Sequence, residues 1–135
     1  MVGYSGTPLA TKLGFTAPLR VFTISAPPDY LEWLGPEAHG VDFDPQQPRP
    51  YQAVHLFTDS RAELTTLLTD LRHAIEPSGM IWVSWPKKSS GVATDISEDV
   101  IHTVCLPLGL VDIKVCAVSE TYSGLKLVIR RDLRK

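Results

Sequence analysis

The apolar residues of the chain occur in runs whose spacing predicts both buried strands and one-sided helices. Two runs with little alternation, Ala53–Phe57 and Met80–Trp85, are typical of parallel strands that are covered on both faces. A third run, Arg20–Ser25, is rich in β-branched and aromatic residues and also predicts a strand. Farther along, Leu110–Val118 and Leu125–Ile129 predict two strands joined by a turn short enough for a hairpin.

Capping signals predict helices between these strands. Ser60 followed by Glu63 is a capping box, in which each side chain satisfies a backbone N–H of the other residue. The helix that it opens has apolar residues at helical spacing: Leu64, Leu67, Leu68, Leu71 and Ile75. Asp95 followed by Glu98 is a second capping signature and predicts a second helix.

Strands alternating with helices and followed by a hairpin are typical of an α/β fold. Strands separated by helices run parallel, so only the hairpin is expected to be antiparallel. Residues 7–14 and 29–34 predict two further short helices, and Val41–Asp44 alternates and predicts a brief sixth strand. One domain is expected over residues 1–135, with 1–19 as an N-terminal arm and short helix.

Composition and charge narrow the class of protein. The net charge of −2 argues against a dedicated nucleic-acid binder, which usually carries a basic surplus. Cys105 and Cys116 have apolar neighbours and no metal spacing, which predicts buried free thiols. No apolar run approaches the roughly 20 residues of a membrane span. No secretory signal is visible either, so a cytoplasmic protein is expected.

The order of elements over residues 20–131 resembles the class I methyltransferase architecture, which is a Rossmann-like three-layer sandwich. The phrases that carry the likeness are AVHLF, IEPSGMIWVSWP, LGLVDIKVCAVS and GLKLVIRR. The resemblance implies a mostly parallel sheet of about six strands in the order 2-1-3-4-6-5, counted along the chain, with an antiparallel last strand. One strand of the family's usual seven is missing.

Three other phrases resemble a small bacterial family of unknown function. They are GYSGTPLATKLG at the N-terminus, VSWPKKSSGVATDISEDV in the middle and CAVSETYSGLKLV near the end. This second resemblance implies kinship but no particular activity.

The turn that holds the cofactor in methyltransferases departs here from the family's pattern. That fold binds adenosylmethionine at a glycine-rich turn after its first strand, where glycines let the backbone approach the ligand. In this chain the turn is Ser25–Asp29, which has no glycine and contains two prolines that lack an N–H donor. Asp42 or Asp44 could serve as the acidic residue for the ribose. The sequence therefore predicts no cofactor and argues against adenosylmethionine.

A ligand site is predicted where the parallel strands end, because open α/β sheets bind ligands outside the carboxyl ends of their strands. The loop Trp85–Asp95 supplies lysines, serines and a glycine there, which are the groups that a small anion needs. A solvated loop with two ordinary surface lysines is the alternative. The candidate ligand-binding residues are Ser25, Asp29, Asp59, Trp85, Lys87, Lys88, Ser89, Ser90 and, on an N-terminal arm expected to fold over the sheet edge near this loop, Tyr4 and Ser5.

No catalytic residue and no metal site is predicted. The histidines lack metal spacing, and His55, between Val54 and Leu56, is expected to be a hydrogen-bonded core residue. No serine lies in a nucleophile elbow, and neither cysteine has a nearby histidine in an accessible loop.

The leading hypothesis is a non-enzymatic Rossmann-like module that binds a small anionic ligand or a protein partner. The first alternative is a degenerate adenosylmethionine-dependent methyltransferase-like protein. The second is a nucleic-acid accessory protein that uses the basic residues of the loop and of the C-terminus. Leu110–Val118 lies at the edge of the sheet in the expected order, so a homodimer through that edge is also open, whereas a membrane partner is not expected.

Overall fold

The computed structural model describes residues 7–134, which form strands and helices in alternation. The strands are β1 (Val21–Ile24), β2 (Tyr51–Phe57), β3 (Ile75–Pro86), β4 (Leu110–Ala117) and β5 (Tyr122–Ile129). The α-helices are α1 (Leu9–Leu13), α2 (Tyr30–Leu34), α3 (Arg61–Leu71) and α4 (Glu98–Cys105). Within this part of the chain, every helix is too short or too polar to cross a membrane.

The strands form one sheet in the order β1-β2-β3-β5-β4. β1, β2 and β3 pair in parallel, and β5 runs antiparallel to both of its neighbours, β3 and β4. Four strands therefore share one direction and β5 alone opposes them, which confirms the α/β, Rossmann-like prediction. The order is the expected one without strand 2 of that count, Val41–Asp44.

The predicted strand Val41–Asp44 is wrong, because only one parallel bridge forms there, between Arg20 and Asp42 beside β1. The side chain of Asp42 accepts the N–H of Asp44 at 2.9 Å, so the chain turns on itself instead of continuing along the sheet. Pro45 then follows and cannot donate to a ladder.

One face of the sheet, which we call the aliphatic face, is covered by α3 and α4. Ser60 caps α3, since its hydroxyl oxygen accepts the N–H of Glu63 at 3.2 Å. The buried residues of this face include Val54, Leu56, Leu64, Leu68, Leu71, Ile81, Val83, Trp85, Ile101 and Leu127. The apolar spacing seen in the sequence therefore corresponds to a real buried surface.

The opposite face, which we call the aromatic face, is covered by the short helices α1 and α2. Its buried residues include Leu13, Phe15, Tyr30, Leu34, Phe57 and Trp82, and Trp33, Phe43 and Tyr122 pack against them. The indole N–H of Trp82 donates to the carbonyl of Leu13 at 2.9 Å and thereby ties α1 to β3. Trp82 and Trp85 lie on opposite faces, as their spacing predicts.

Two local predictions about the helices are wrong. The residue that caps α4 is Ser97, whereas the carboxylate of Asp95 accepts the N–H of Arg61 at 2.7 Å and so caps the neighbouring helix α3. Ile75, expected on the apolar face of α3, is the first residue of β3. The helix ends earlier because the residues that follow it turn and join the sheet beside β2.

Candidate functional site

A cleft of about 260 Å³ lies where β1, β2 and β3 end, at the edge where ligands bind in open α/β sheets. We call it the crevice. Its lining residues are Ser25, Phe57, Thr58, Asp59, Glu63, Pro86, Val92 and Tyr122. Each lies at the end of a strand, in the first turn of α3, or in the loop after β3.

The crevice contains two carboxylates and neither lysine nor arginine. Asp59 follows β2, and Glu63 lies in the first turn of α3. Glu63 does not complete the predicted capping box, because the N–H of Ser60 donates instead to the hydroxyl of Thr58 at 3.2 Å. Within residues 7–134, neither carboxylate has a side-chain hydrogen bond or an ion pair. A crevice of this composition attracts cations.

An aromatic wall stands beside these carboxylates. Phe57 and Tyr122 meet edge-on, with ring centroids 5.1 Å apart and planes at 87°. Phe57 is 4% exposed and its ring stacks on His55, so the partly exposed ring of Tyr122 is the aromatic surface that a cation in the crevice can contact.

Ser25, at the end of β1, has φ 59°, in the left-handed region that favours glycine. A residue with a side chain pays roughly 1 kcal/mol or more for this conformation. The turn thus keeps a backbone geometry that is typical of glycine although its sequence has none. The Ser25 hydroxyl has no hydrogen-bond partner among the described residues and lies at the crevice.

A chain of buried hydrogen bonds lies below the crevice. The hydroxyl of Tyr30 is 2.8 Å from Nδ1 of His55, and Nε2 of His55 is 2.7 Å from Oγ of Ser84. Burial lowers the pKa of His55 to about 3 and raises that of Tyr30, so both side chains are neutral at physiological pH. The prediction that His55 is a hydrogen-bonded core residue is confirmed. Ser84 and His55 are fully buried, so this pair is closed to substrate.

This buried chain supports the aromatic wall. It joins α2, β2 and β3, the elements whose neighbouring segments line the crevice. The ring of His55 stacks on Phe57 at 4.5 Å and 22°, and the ring of Tyr30 meets Phe57 edge-on at 5.6 Å. The sequence does not predict that Tyr30 and Ser84 bind His55, because they come from distant segments and no local spacing connects them to it.

The predicted site residues are only partly brought together. Ser25 and Asp59 line the crevice. Trp85 is 8% exposed and packs into the aliphatic face, and Pro86 lines the crevice in its place. Asp29 is exposed at the N-cap position of α2. Tyr4 and Ser5 lie outside the described residues, so their role stays a prediction.

The lysine loop lies beside the crevice rather than in its wall. Lys87, Lys88, Ser89 and Ser90 form a short turn in which the hydroxyl of Ser90 donates to the carbonyl of Lys87 at 2.6 Å. Among residues 87–97, only Val92 lines the crevice. The hydroxyl of Thr94 donates to the carbonyl of Asp59 at 2.8 Å and fixes the far end of the loop. Anion binding by this loop stays a prediction.

A second cavity, of about 320 Å³, lies on the other side of the turn that follows β1. It is lined by Thr23, Ala26, Pro27, Pro28, Tyr30, Leu31, Phe43 and Pro45, which are mostly apolar. The side chains of Asp42 and Asp44, the candidate ribose ligands, each accept a backbone N–H at 2.9 Å in local turns. No cluster of three or more metal-ligating side chains occurs in residues 7–134.

Several solved methyltransferases have a similar fold. A SAM-dependent methyltransferase from Aquifex aeolicus has a TM-score of 0.60 and 12% identity, over 90% of this chain and 87% of that one. An O-methyltransferase of neocarzinostatin biosynthesis, solved with S-adenosylmethionine and 2-hydroxy-5-methyl naphthoic acid, has a TM-score of 0.68 and 13% identity. That match covers 93% of this chain and only 53% of the other. Magnesium protoporphyrin IX methyltransferase from Synechocystis, solved with bound SAM, has a TM-score of 0.56 and 13% identity, over 90% of this chain and 74% of that one.

These identities are low enough that the likeness establishes the fold alone. No protein-family model matches the sequence, and no curated protein matches it either. The resemblance of three phrases to a small bacterial family therefore stays a prediction. The methyltransferase-like fold is confirmed.

The prediction that argued against adenosylmethionine is contradicted, because proteins with this fold were solved with that molecule bound. The prediction relied on the absence of glycine after β1. The left-handed backbone of Ser25 shows that this absence does not exclude the conformation that glycine normally provides.

Proposed function

We propose that the chain is a methyltransferase-like protein that binds adenosylmethionine in the crevice. The observation that carries the proposal is a pair of carboxylates, Asp59 and Glu63, without partners among the described residues, at the carboxyl ends of the parallel strands. Adenosylmethionine carries a sulfonium and an ammonium cation, so its charge is complementary to this crevice. The small anion of the leading sequence hypothesis would meet carboxylates there.

The residues present fit the ligand in chemistry as well as in charge. Asp59 and Glu63 would hold its cationic portion, and Tyr122, which packs on Phe57, offers aromatic surface beside it. The cavity on the other side of the Ser25–Asp29 turn supplies apolar surface of the kind that a purine ring needs. Pro27 and Pro28 cannot donate hydrogen bonds, so donors from this turn are limited to its other residues.

Bound adenosylmethionine supplies an activated methyl group. The chain's own contribution is to hold positive charge beside Asp59 and Glu63. Both side chains are exposed at the crevice, where an acceptor substrate can reach them. As part of the same proposal we place the protein in the cytoplasm, where its free thiols Cys105 and Cys116 remain reduced.

Calorimetric titration with adenosylmethionine at low salt tests the proposal. We expect the wild-type protein to bind and Glu63→Gln to weaken binding about threefold, since exposed charge pairs contribute modestly. Glu98→Gln is the matched control, because Glu98 also lies in the first turn of a helix but outside the crevice. Absence of binding to the wild type, or equal losses in both variants, would contradict the proposal.

A further inference from the structure

Three lysines from different elements lie close together near the outer edge of the sheet. Lys114 on β4 lies directly opposite Lys126 on β5, and like charges at such positions destabilise a sheet. The ammonium of Lys114 donates to the carbonyl of Lys12 at 2.9 Å, which brings the end of α1 to the same place. Lys12 and Lys114 also lie near Cys116, where their charges oppose the rise in thiol pKa that burial causes. We call Lys12, Lys114 and Lys126 the lysine cluster.

Nothing in the described part of the chain neutralises the lysine cluster. The ion pairs within residues 7–134 join Arg49 to Asp70, His102 to Asp112 and Arg130 to Asp132, and none of them includes a lysine. The pKa of Lys126 is lowered by partial burial and, to a lesser extent, by the nearby charge of Lys114. Functional sites are where proteins often accept an arrangement that costs stability.

The backbone beside the cluster is open. β4 is the last strand of the sheet, and no described strand pairs with its outer edge. A bulge occurs at Ile113, and the following segment, Lys114–Ala117, pairs with β5 without interruption. Ile113 and Val115 are 55% and 53% exposed, which is high for aliphatic residues in a sheet. Lys114 and Val115 point to opposite faces because successive side chains in a strand alternate.

The charge decides between two possible occupants of this edge. A second copy paired antiparallel through β4 would bring two lysine clusters onto one continuous sheet, where they would repel each other. A segment with carboxylates would neutralise the cluster instead. An exposed edge strand accepts an extended segment through main-chain hydrogen bonds, and side-chain contacts then set the specificity.

We propose that β4 is a docking strand for an extended acidic segment of a partner protein, which adds to the outer edge of the sheet along Lys114–Ala117. The segment places acidic side chains beside the lysine cluster and apolar side chains beside Val115. It therefore alternates between acidic and apolar residues. This surface is separate from the crevice and does not depend on the ligand bound there.

Fluorescence anisotropy of a labelled synthetic peptide in which glutamate and valine alternate tests the inference on the full chain. We expect saturable binding that weakens with salt and falls at least tenfold in the double variant Lys114→Ala, Lys126→Ala. Because this variant removes a like-charge pair, its melting temperature should be unchanged or higher. Lys88→Ala, an exposed lysine in the loop after β3, is the control and should bind like the wild type.

Changes in the peptide test the same inference without altering the protein. A peptide with lysine in place of glutamate, and a glutamate–valine peptide with N-methylated backbone, should both fail to bind. Equal binding of either one, or no binding of the original peptide, would overturn the proposal. A wild-type dimer that Val115→Glu converts to a monomer would also overturn it, because a second copy would then occupy the edge.

Discussion

The two faces of the sheet are constructed in different ways. The aliphatic face is covered by α3 and α4, which begin at serine caps and bury leucine, isoleucine and valine side chains. The aromatic face is covered by α1 and α2, which have five residues each. Helices this short have little intrinsic stability. Hydrogen bonds from Trp82 and through the Tyr30–His55–Ser84 chain therefore fix them in place.

The comparison shows where geometric precision is concentrated. Aliphatic packing tolerates exchange of similar side chains, whereas a buried polar chain requires each partner at a defined distance. The polar chain contacts Phe57, whose ring forms part of the crevice wall, and Phe57 in turn contacts Tyr122. The aromatic face thus positions the aromatic wall of the crevice, whereas the aliphatic face contributes Glu63 through α3 and otherwise mainly supplies stability.

The largest expected effect is the loss of stability in acid, which arises from His55 on the aromatic face. The pKa of His55 is about 3 in the folded protein and 6.5 in the unfolded chain. Below pH 6.5 the unfolded chain gains a proton that the folded protein does not, so the free energy of unfolding decreases by up to about 1.4 kcal/mol per pH unit and levels off near pH 3. Urea denaturation at a series of pH values measures this slope.

The control for the acid experiment is His39→Gln, since His39 is exposed and should leave the slope unchanged. His55→Asn should reduce the slope between pH 6.5 and 5. A wild-type protein whose stability is constant over that interval would contradict the account of a neutral, buried His55.

Leu68→Ala should cause the next largest loss, on the aliphatic face. Leu68 is fully buried, and removing such a side chain costs about 3 kcal/mol through lost burial and a cavity. Because Leu68 is not among the residues that line the crevice, ligand affinity should change less than twofold. Urea denaturation and calorimetry of the same sample measure the two quantities. A large change in affinity would contradict the view that packing on the aliphatic face supplies stability without shaping the crevice.

Tyr30→Phe should cost about 1–3 kcal/mol, because it leaves Nδ1 of His55 buried without a partner. Ser84→Ala breaks the other end of the same chain and should cost a similar amount. If the chain acts as a unit, the double variant loses less than the sum of the single variants. Additive losses in a double-mutant cycle would show that the two hydrogen bonds are independent.

Ser25→Gly should have the smallest effect and the opposite sign. Ser25 is the one non-glycine residue with positive φ among residues 7–134, so glycine should stabilise the protein by about 1 kcal/mol. Ser89→Gly, in the loop turn, is the control and should not stabilise, because Ser89 does not have a positive φ. Thermal melting distinguishes the two variants. A lower melting temperature for Ser25→Gly than for the wild type would contradict the claim that the backbone of Ser25 is strained.

The sequence predicts the aliphatic face better than the aromatic one. Helical spacing correctly identifies Leu64, Leu68 and Leu71 as buried, and the apolar runs locate the strands β2 and β3. Both signals are local, since a helix or strand imposes its own period on neighbouring residues. For the same reason Ser60 is recognised as a cap, while Asp95 is misassigned because its real partner, Arg61, is distant in sequence.

The candidate site is only partly predictable because its chemistry depends on backbone conformation and on long-range contacts. The strand-end rule locates the crevice, and Ser25 and Asp59 are identified. The lysines of the loop suggest an anion, yet neither of them lines the crevice, and Glu63 contributes a second carboxylate there. The left-handed backbone of Ser25 cannot be inferred from residue identity, because serine adopts it only when the surrounding structure imposes it.

The most direct test of the central claim, a crevice for a cationic ligand, compares adenosylmethionine with adenosylhomocysteine, which lacks the sulfonium charge. Calorimetry at low salt should show that the wild type binds adenosylmethionine several-fold more tightly. That preference should disappear in the double variant Asp59→Asn, Glu63→Gln, whose crevice has lost both carboxylates. Equal affinity of the wild type for the two ligands, or tighter binding of adenosylhomocysteine, would contradict the account.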